Sequence, residues 1–190
     1  MIDYILLRIA KTSILSRFDN VYIIDKDRLL FEYPFLKEKG AVFVTLDYAQ
    51  KLRGCIGTII PYQTLLDDVI NNALGAAFSD PRFSPLNTSE FDTLTLEVSV
   101  LTTPKPLEYS DYEDLKSKIR PHTDGLILKY GQYQGTFLPQ VWEELPSAHD
   151  FLEHLAYKAN ANPTIYQHHP DIFLYQVEAI KEDFNEILSI

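Results

Sequence analysis

The hexapeptide Leu52-Arg53-Gly54-Cys55-Ile56-Gly57 constrains this chain more than any other stretch. It holds the single cysteine, two glycines bracket that cysteine, and an arginine sits two residues before it. The run before it, Ala41-Val42-Phe43-Val44-Thr45-Leu46, has the β-branched and aromatic composition of a strand. Tyr48 to Lys51 is short and polar enough to turn a hairpin, so Leu52 to Ile56 is expected to be the returning strand. A period of two then puts Arg53 and Cys55 on one face and Leu52 and Ile56 on the other. A guanidinium beside a thiol lowers its pKa and raises the thiolate fraction. Gly54 and Gly57 mark a bulge, or a place where a ligand or another backbone comes close. The competing reading is a lone cysteine that serves only as a small buried hydrophobe.

A chain of 190 residues is long enough for one domain or two lobes with a sizeable core. The net charge of −10 argues against a nucleic-acid backbone as the main partner. One cysteine excludes an intramolecular disulfide and fits a reducing compartment. Asp3, Arg8 and Lys11 interrupt any apolar N-terminal run, and no stretch reaches membrane-spanning length. These features lead us to expect a cytoplasmic protein without a membrane partner.

The N-terminal segment, residues 1–18, has Ile2, Leu6 and Ile9 at helical spacing and reads as a docking helix. Asn20 to Tyr33 is ambiguous between strand and helix. After the hexapeptide, Thr64 caps a helix whose stripe is Leu66, Val69, Ile70, Ala73 and Ala77; it ends before Pro81. Asp80-Pro81-Arg82-Phe83-Ser84-Pro85 is a rigid turn, and Asn87 to Glu90 forms a capping box. Thr93 to Thr102 alternates strictly and is predicted as a strand. Ser110 to Glu113 caps a short helix. A second hairpin follows, Gly125 to Leu138, then a helix from Ser147 and a strand over Ile172 to Ile180. A hairpin, a proline, a helix and a strand thus occur twice. The expectation is an α+β fold of two packed subdomains, built from a duplicated hairpin-helix-strand unit with mainly antiparallel sheets. The lobes span about 41–102 and 125–180, with the N-terminal helix docked on the core. A cleft between such lobes is the default place for a site.

These segments, in this order, resemble the AMMECR-type family. The hexapeptide matches that family's hallmark. Gly40 to Leu46, Ser79 to Pro85, Leu96 to Leu101, Asp124 to Leu128, Phe137 to Val141 and Lys158-Ala159 resemble its further blocks. The chain departs from the family pattern at Asn160-Ala161 and Ile165-Tyr166. The resemblance implies an α+β fold of two subdomains. It also implies a microbial setting beside a Memo-type protein and a radical-SAM protein as partners. It supplies no reaction and no cofactor.

The candidate site follows from charge and placement. Arg53 inside a strand needs a partner: a carboxylate such as Glu97 or Asp80, an anionic ligand, or the Cys55 thiolate. Cys55 as nucleophile needs a base, which the sequence does not name; Arg53 acting electrostatically on the thiolate, with Glu97 as acid or base, is the substitute considered. None of the five histidines (His122, His149, His154, His168, His169) lies in the blocks quoted. Asp80 and Arg82 straddle Pro81, and the plain reading is a structural turn in which each charge bonds a backbone group or the other. Asp80 also falls at a helix C-terminus, where the dipole disfavours it, so another group is expected to hold it, with Arg53 the candidate. The expected catalytic set is Cys55, Arg53 and Glu97. The expected ligand contacts are Arg53, Gly54, Gly57, Asp80 and Arg82, with a small anionic molecule or a peptide as ligand. His168-His169 on extended chain would point to opposite sides, no zinc-type spacing occurs, and no metal is expected. Two functions follow: an enzyme or enzyme component, or an accessory module that docks on the partner proteins.

Overall fold

A computed structural model of the chain describes residues 2–190. It divides into two compact units, one formed by Met1–Leu101 with Glu178–Ile190 and one by Thr102–Val177.

The first unit opens with α1 (Ile5–Leu15), whose inward side carries Ile5, Leu6, Ile9 and Ile14. The ambiguous segment resolves into irregular chain followed by α2 (Lys26–Glu32), capped by Asp25, which accepts from the Arg28 amide. Strands β1 (Ala41–Tyr48) and β2 (Lys51–Gly57) form the predicted hairpin. Its two turn residues, Ala49 and Gln50, both take positive φ (48° and 63°). That conformation suits the twist of a tight hairpin, and asparagine or glycine adopts it more easily. Helix α3 (Leu65–Phe78) is capped by Thr64 and packs Leu66, Val69, Ala73 and Ala77 inward. After the capping box at Asn87 and Glu90 comes β3 (Leu94–Leu101).

The second unit contains β4 (Lys105–Pro106), α4 (Tyr112–Lys118), the hairpin β5 (Gly125–Tyr130) and β6 (Tyr133–Phe137), α5 (Ala148–Lys158) and β7 (Asp171–Tyr175). The predicted final strand is in fact two. Gln176 interrupts it, exchanging two hydrogen bonds with Thr102, and β8 (Val177–Asp183) joins the other sheet. The sheet orders are β2-β1-β3-β8 and β4-β7-β5-β6. The pairs β1/β2, β1/β3, β5/β6 and β5/β7 are antiparallel, and the fold is α+β.

Each unit has its own apolar core. Val42, Val44, Leu46, Leu96 and Val98 meet α1 and α3 in the first. Leu126, Leu128, Trp142, Phe151, Leu155 and Ile172 form the second, where the Trp142 and Phe151 rings stack at 3.8 Å. No helix among the described residues is long and apolar enough to cross a membrane.

Candidate functional site around Cys55

The hexapeptide is the edge strand of the first sheet, and its alternation is broken. Leu46 pairs with Gly54 but Asp47 with Leu52, so Arg53 is the extra residue of a β-bulge. This corrects the expected sidedness. Leu52 shares a row with Asp47 and is exposed, whereas Ile56 pairs with Val44 and packs on the core.

Arg53 and Cys55 consequently have different surroundings. The Arg53 guanidinium is gripped by Glu90, Nε to Oε1 at 2.5 Å and Nη2 to Oε2 at 3.1 Å, and Nη2 also donates to the Ser84 carbonyl at 2.9 Å. The pair is largely buried, at 11% and 14% side-chain exposure, and the guanidinium lies 5.9 Å from the Phe83 ring centroid. Arg53 therefore holds neither the thiol nor Glu97 or Asp80, the partners its position suggested. It locks the strand to the turn that carries the capping box, and Glu90, read as a cap only, serves both purposes. Arg53 in return holds the Glu90 carboxyl below its usual range. The Arg53 Nη1 atom is buried without a partner.

Asp80 is held by Arg82 instead. Arg82 Nε and Nη2 donate to the two carboxylate oxygens at 2.9 and 2.7 Å. The carboxylate is buried (1% exposed) while the guanidinium is half-exposed (53%). Asp80 Oδ2 accepts the Cys55 amide at 2.9 Å, and Arg82 Nη2 donates to the Cys55 carbonyl at 3.2 Å. The acid and the base thus act as a substitute strand, satisfying the outward backbone groups of the edge at Cys55. Chiefly through Arg82, with the two backbone amides helping, the Asp80 carboxyl sits far below its ordinary range.

The thiol belongs to a third set of contacts. Thr45 Oγ1 donates to Cys55 Sγ at 3.4 Å. Strand register puts Cys55, Thr45 and Glu97 in one row across β2, β1 and β3. With strands about 4.8 Å apart, the outer two backbones are about 10 Å from each other. All three residues are half-buried, and Glu97 accepts from the Ser99 hydroxyl at 3.1 Å. Burial pushes the Cys55 thiol above its ordinary range. The Thr45 hydroxyl and the Arg82 charge oppose that shift, and the Asp80 and Glu97 carboxylates reinforce it. The direction is opposite to the activation expected from Arg53, whose guanidinium is paired with Glu90. Thr45 and Glu90 are the residues that sequence reasoning missed. A regular count back from the turn puts Gly54 opposite Thr45, and only the bulge brings Cys55 there.

Both hexapeptide glycines have internal reasons. A Cβ on Gly54 would stand 2.1 Å from the Ala76 carbonyl of α3, and one on Gly57 would enter the Phe43 ring at 2.3 Å. Close approach of backbone and ring, as the bulge-or-contact reading allowed, accounts for each.

Comparisons with known proteins agree with this architecture. The family model described as AMMECR1 matches residues 7–180. A protein of Thermofilum pendens is 37% identical over 175 residues, covering 86% of this chain and 81% of that one. A protein of Methanothermobacter thermautotrophicus is 40% identical over 149 residues, covering 77% and 78%. The crystal structure of an uncharacterized protein from Pyrococcus horikoshii superimposes with a TM-score of 0.80 at 34% identity, covering 94% of this chain and 90% of that one. The hexapeptide, the two hairpin-helix-strand units and these matches together establish that the chain belongs to the AMMECR1 family.

Proposed function

We propose that this protein is a non-catalytic binding component. In this reading the Cys55-Thr45-Glu97 row recognises a small molecule or a peptide of a partner through a neutral thiol, a hydroxyl and a carboxylate. The observation that carries it is the state of the groups that would have to activate the thiol. Arg53 pairs through Nε and Nη2 with Glu90, Arg82 pairs with Asp80, and burial raises the thiol pKa. A thiolate nucleophile needs a nearby uncommitted positive charge or base. The partners would be the Memo-type and radical-SAM proteins that the family resemblance implies, in the cytoplasm.

Iodoacetamide alkylation of Cys55 in the native protein, followed from pH 7 to pH 10, tests this reading. The expected rate at pH 7 is below that of free cysteine and rises only above the ordinary thiol pKa of about 8.5. A rate at pH 7 above that of free cysteine would restore the enzyme reading, with Cys55 as nucleophile and Glu97 as acid or base. Co-purification supplies the partner test. Cys55→Trp and Glu97→Lys are expected to abolish capture of the Memo-type or radical-SAM protein, and undiminished capture would remove the row from the interface.

A further inference from the structure

The second unit has a cavity of about 580 Å³ that owes nothing to the hexapeptide. Its size is that of small-ligand sites. Four rings line it: Tyr112 at the start of α4, His149 at the start of α5, Tyr166, and His169. The Tyr112 and Tyr166 rings are 5.2 Å apart, and His149 meets Tyr112 edge-on with its Nδ1 3.1 Å from the tyrosine hydroxyl. His169 takes a left-handed backbone (φ 54°), costly for a residue with a Cβ. It is fixed there by stacking on Tyr109 at 4.2 Å and by a 2.8 Å contact from Nε2 to the Tyr109 carbonyl oxygen.

The charges around these rings are mostly negative. Asp111 lines the cavity, and its carboxylate spends one oxygen on capping α4 at the Asp114 amide. Burial first, then the carboxylates of Glu153, Glu113 and Asp150, raise the Tyr112 hydroxyl above its ordinary pKa. The nearby cation, Lys116, lies 5.1 Å over the Tyr112 ring and is paired with Glu113 at 2.8 Å. The Tyr112 ring thus already holds one ammonium against it. Aromatic faces with an adjacent carboxylate are the recognition pattern for organic cations.

We propose that this cavity binds a small organic cation, an ammonium bearing methyl or methylene groups. The cation sits against Tyr112 and Tyr166 with Asp111 as its counter-charge. His149, Asp150 and Glu153 bring donor atoms within 4.8 Å of one another, so a divalent metal is the competing occupant.

Amide and aromatic-ring NMR of the full chain, titrated with choline, with the uncharged isostere in which carbon replaces its nitrogen, and with zinc ion, tests the proposal. Choline is expected to shift Tyr112, Tyr166 and His149 with a dissociation constant in the millimolar range, and the isostere to bind at least about fivefold more weakly. Asp111→Asn keeps the helix cap but loses the charge, and is expected to weaken choline about threefold to tenfold. Tyr112→Leu should weaken it about fivefold or more, while Tyr112→Phe should retain it. Equal binding of the isostere, or no shifts at these residues, would overturn the proposal. So would shifts caused by zinc alone and reversed by a chelator.

Discussion

Gly54 and Gly135 stand at the same point of two hairpins. Gly54 pairs with Leu46 and presses on the Ala76 carbonyl of α3, while Gly135 pairs with Leu128 and presses on Ala159 at the end of α5. One residue further on, the two units part. The row Cys55-Thr45-Glu97 in the first corresponds to Thr136-Ile127-Phe173 in the second. Thr136 spends its hydroxyl on the Leu126 carbonyl at 2.9 Å and lies 3.2 Å from the Tyr175 hydroxyl. The second unit therefore builds the same kind of sheet with Ile127 and Phe173 where the first has Thr45 and Glu97, so those two polar side chains are no requirement of the architecture. The bulge differs too. Arg53 has Gln134 as its counterpart, and Gln134 pairs regularly with Lys129. Both units carry a buried carboxylate clasped by a half-exposed arginine, Asp80 by Arg82 and Asp124 by Arg120. Only the first clasp grips the strand edge at a thiol.

Substitution at the paired glycines should separate the units most strongly. Gly54→Ala drives a methyl into backbone and is expected to cost about 4 kcal/mol. Gly135→Ala, with its nearest atom at 2.8 Å, should cost about 2 kcal/mol. Urea unfolding measures both, with the single tryptophan, Trp142, reporting on the second unit. Equal costs would mean that the two helix contacts are not graded as the distances indicate.

Arg53→Ala leaves Glu90 buried without its cation and is expected to cost about 3 kcal/mol. Its counterpart, Gln134→Ala, lies on an exposed position and should change stability by less than about 0.5 kcal/mol. A small effect at Arg53 would release that guanidinium for ligand binding and undo the distinction drawn between the units.

Acid should act through the clasps. The Asp80 carboxyl is depressed in the folded state, so its contribution is present above the unfolded carboxylate pKa of about 3.9 and is lost as pH falls below it toward the folded value. Asp80→Asn should flatten the loss of stability below about pH 4. If the acid limb is unchanged, the edge at Cys55 does not depend on the clasp.

At the hairpin turns the effect is smaller. The β5–β6 turn has Gly131 at φ 55°, whereas Ala49 and Gln50 bear positive φ in the first unit. Replacing these two by Asn and Gly is expected to add about 1 kcal/mol in thermal or urea unfolding.

Much of this was legible in the chain. Alternation in β3, the caps at Thr64 and Ser147, and the repeated hairpin-helix-strand order all rest on local chemistry that sequence displays directly. The bulge beside Gly54 was offered as one reading of the glycines, but its effect on the faces was not read, because one inserted residue leaves no periodic trace yet reverses every face before it. The pairing of Arg53 with Glu90 spans 37 residues and depends on where the turn after α3 folds back. The break at Gln176 was hidden by an unbroken β-forming run, and tertiary pairing decided it. Cys55 meets Asp80 and Arg82 through its backbone groups, and Asp80 is held by Arg82 of its own turn and not by Arg53.

The central claim is that the row through Cys55 exists for recognition and not for folding. The most direct test gives the first unit the second unit's apolar pair, as Thr45→Ile with Glu97→Phe, and measures the free energy of urea unfolding. The account predicts a value within about 1 kcal/mol of the parent. A loss of more than about 3 kcal/mol would show that the polar row is architectural and would contradict it.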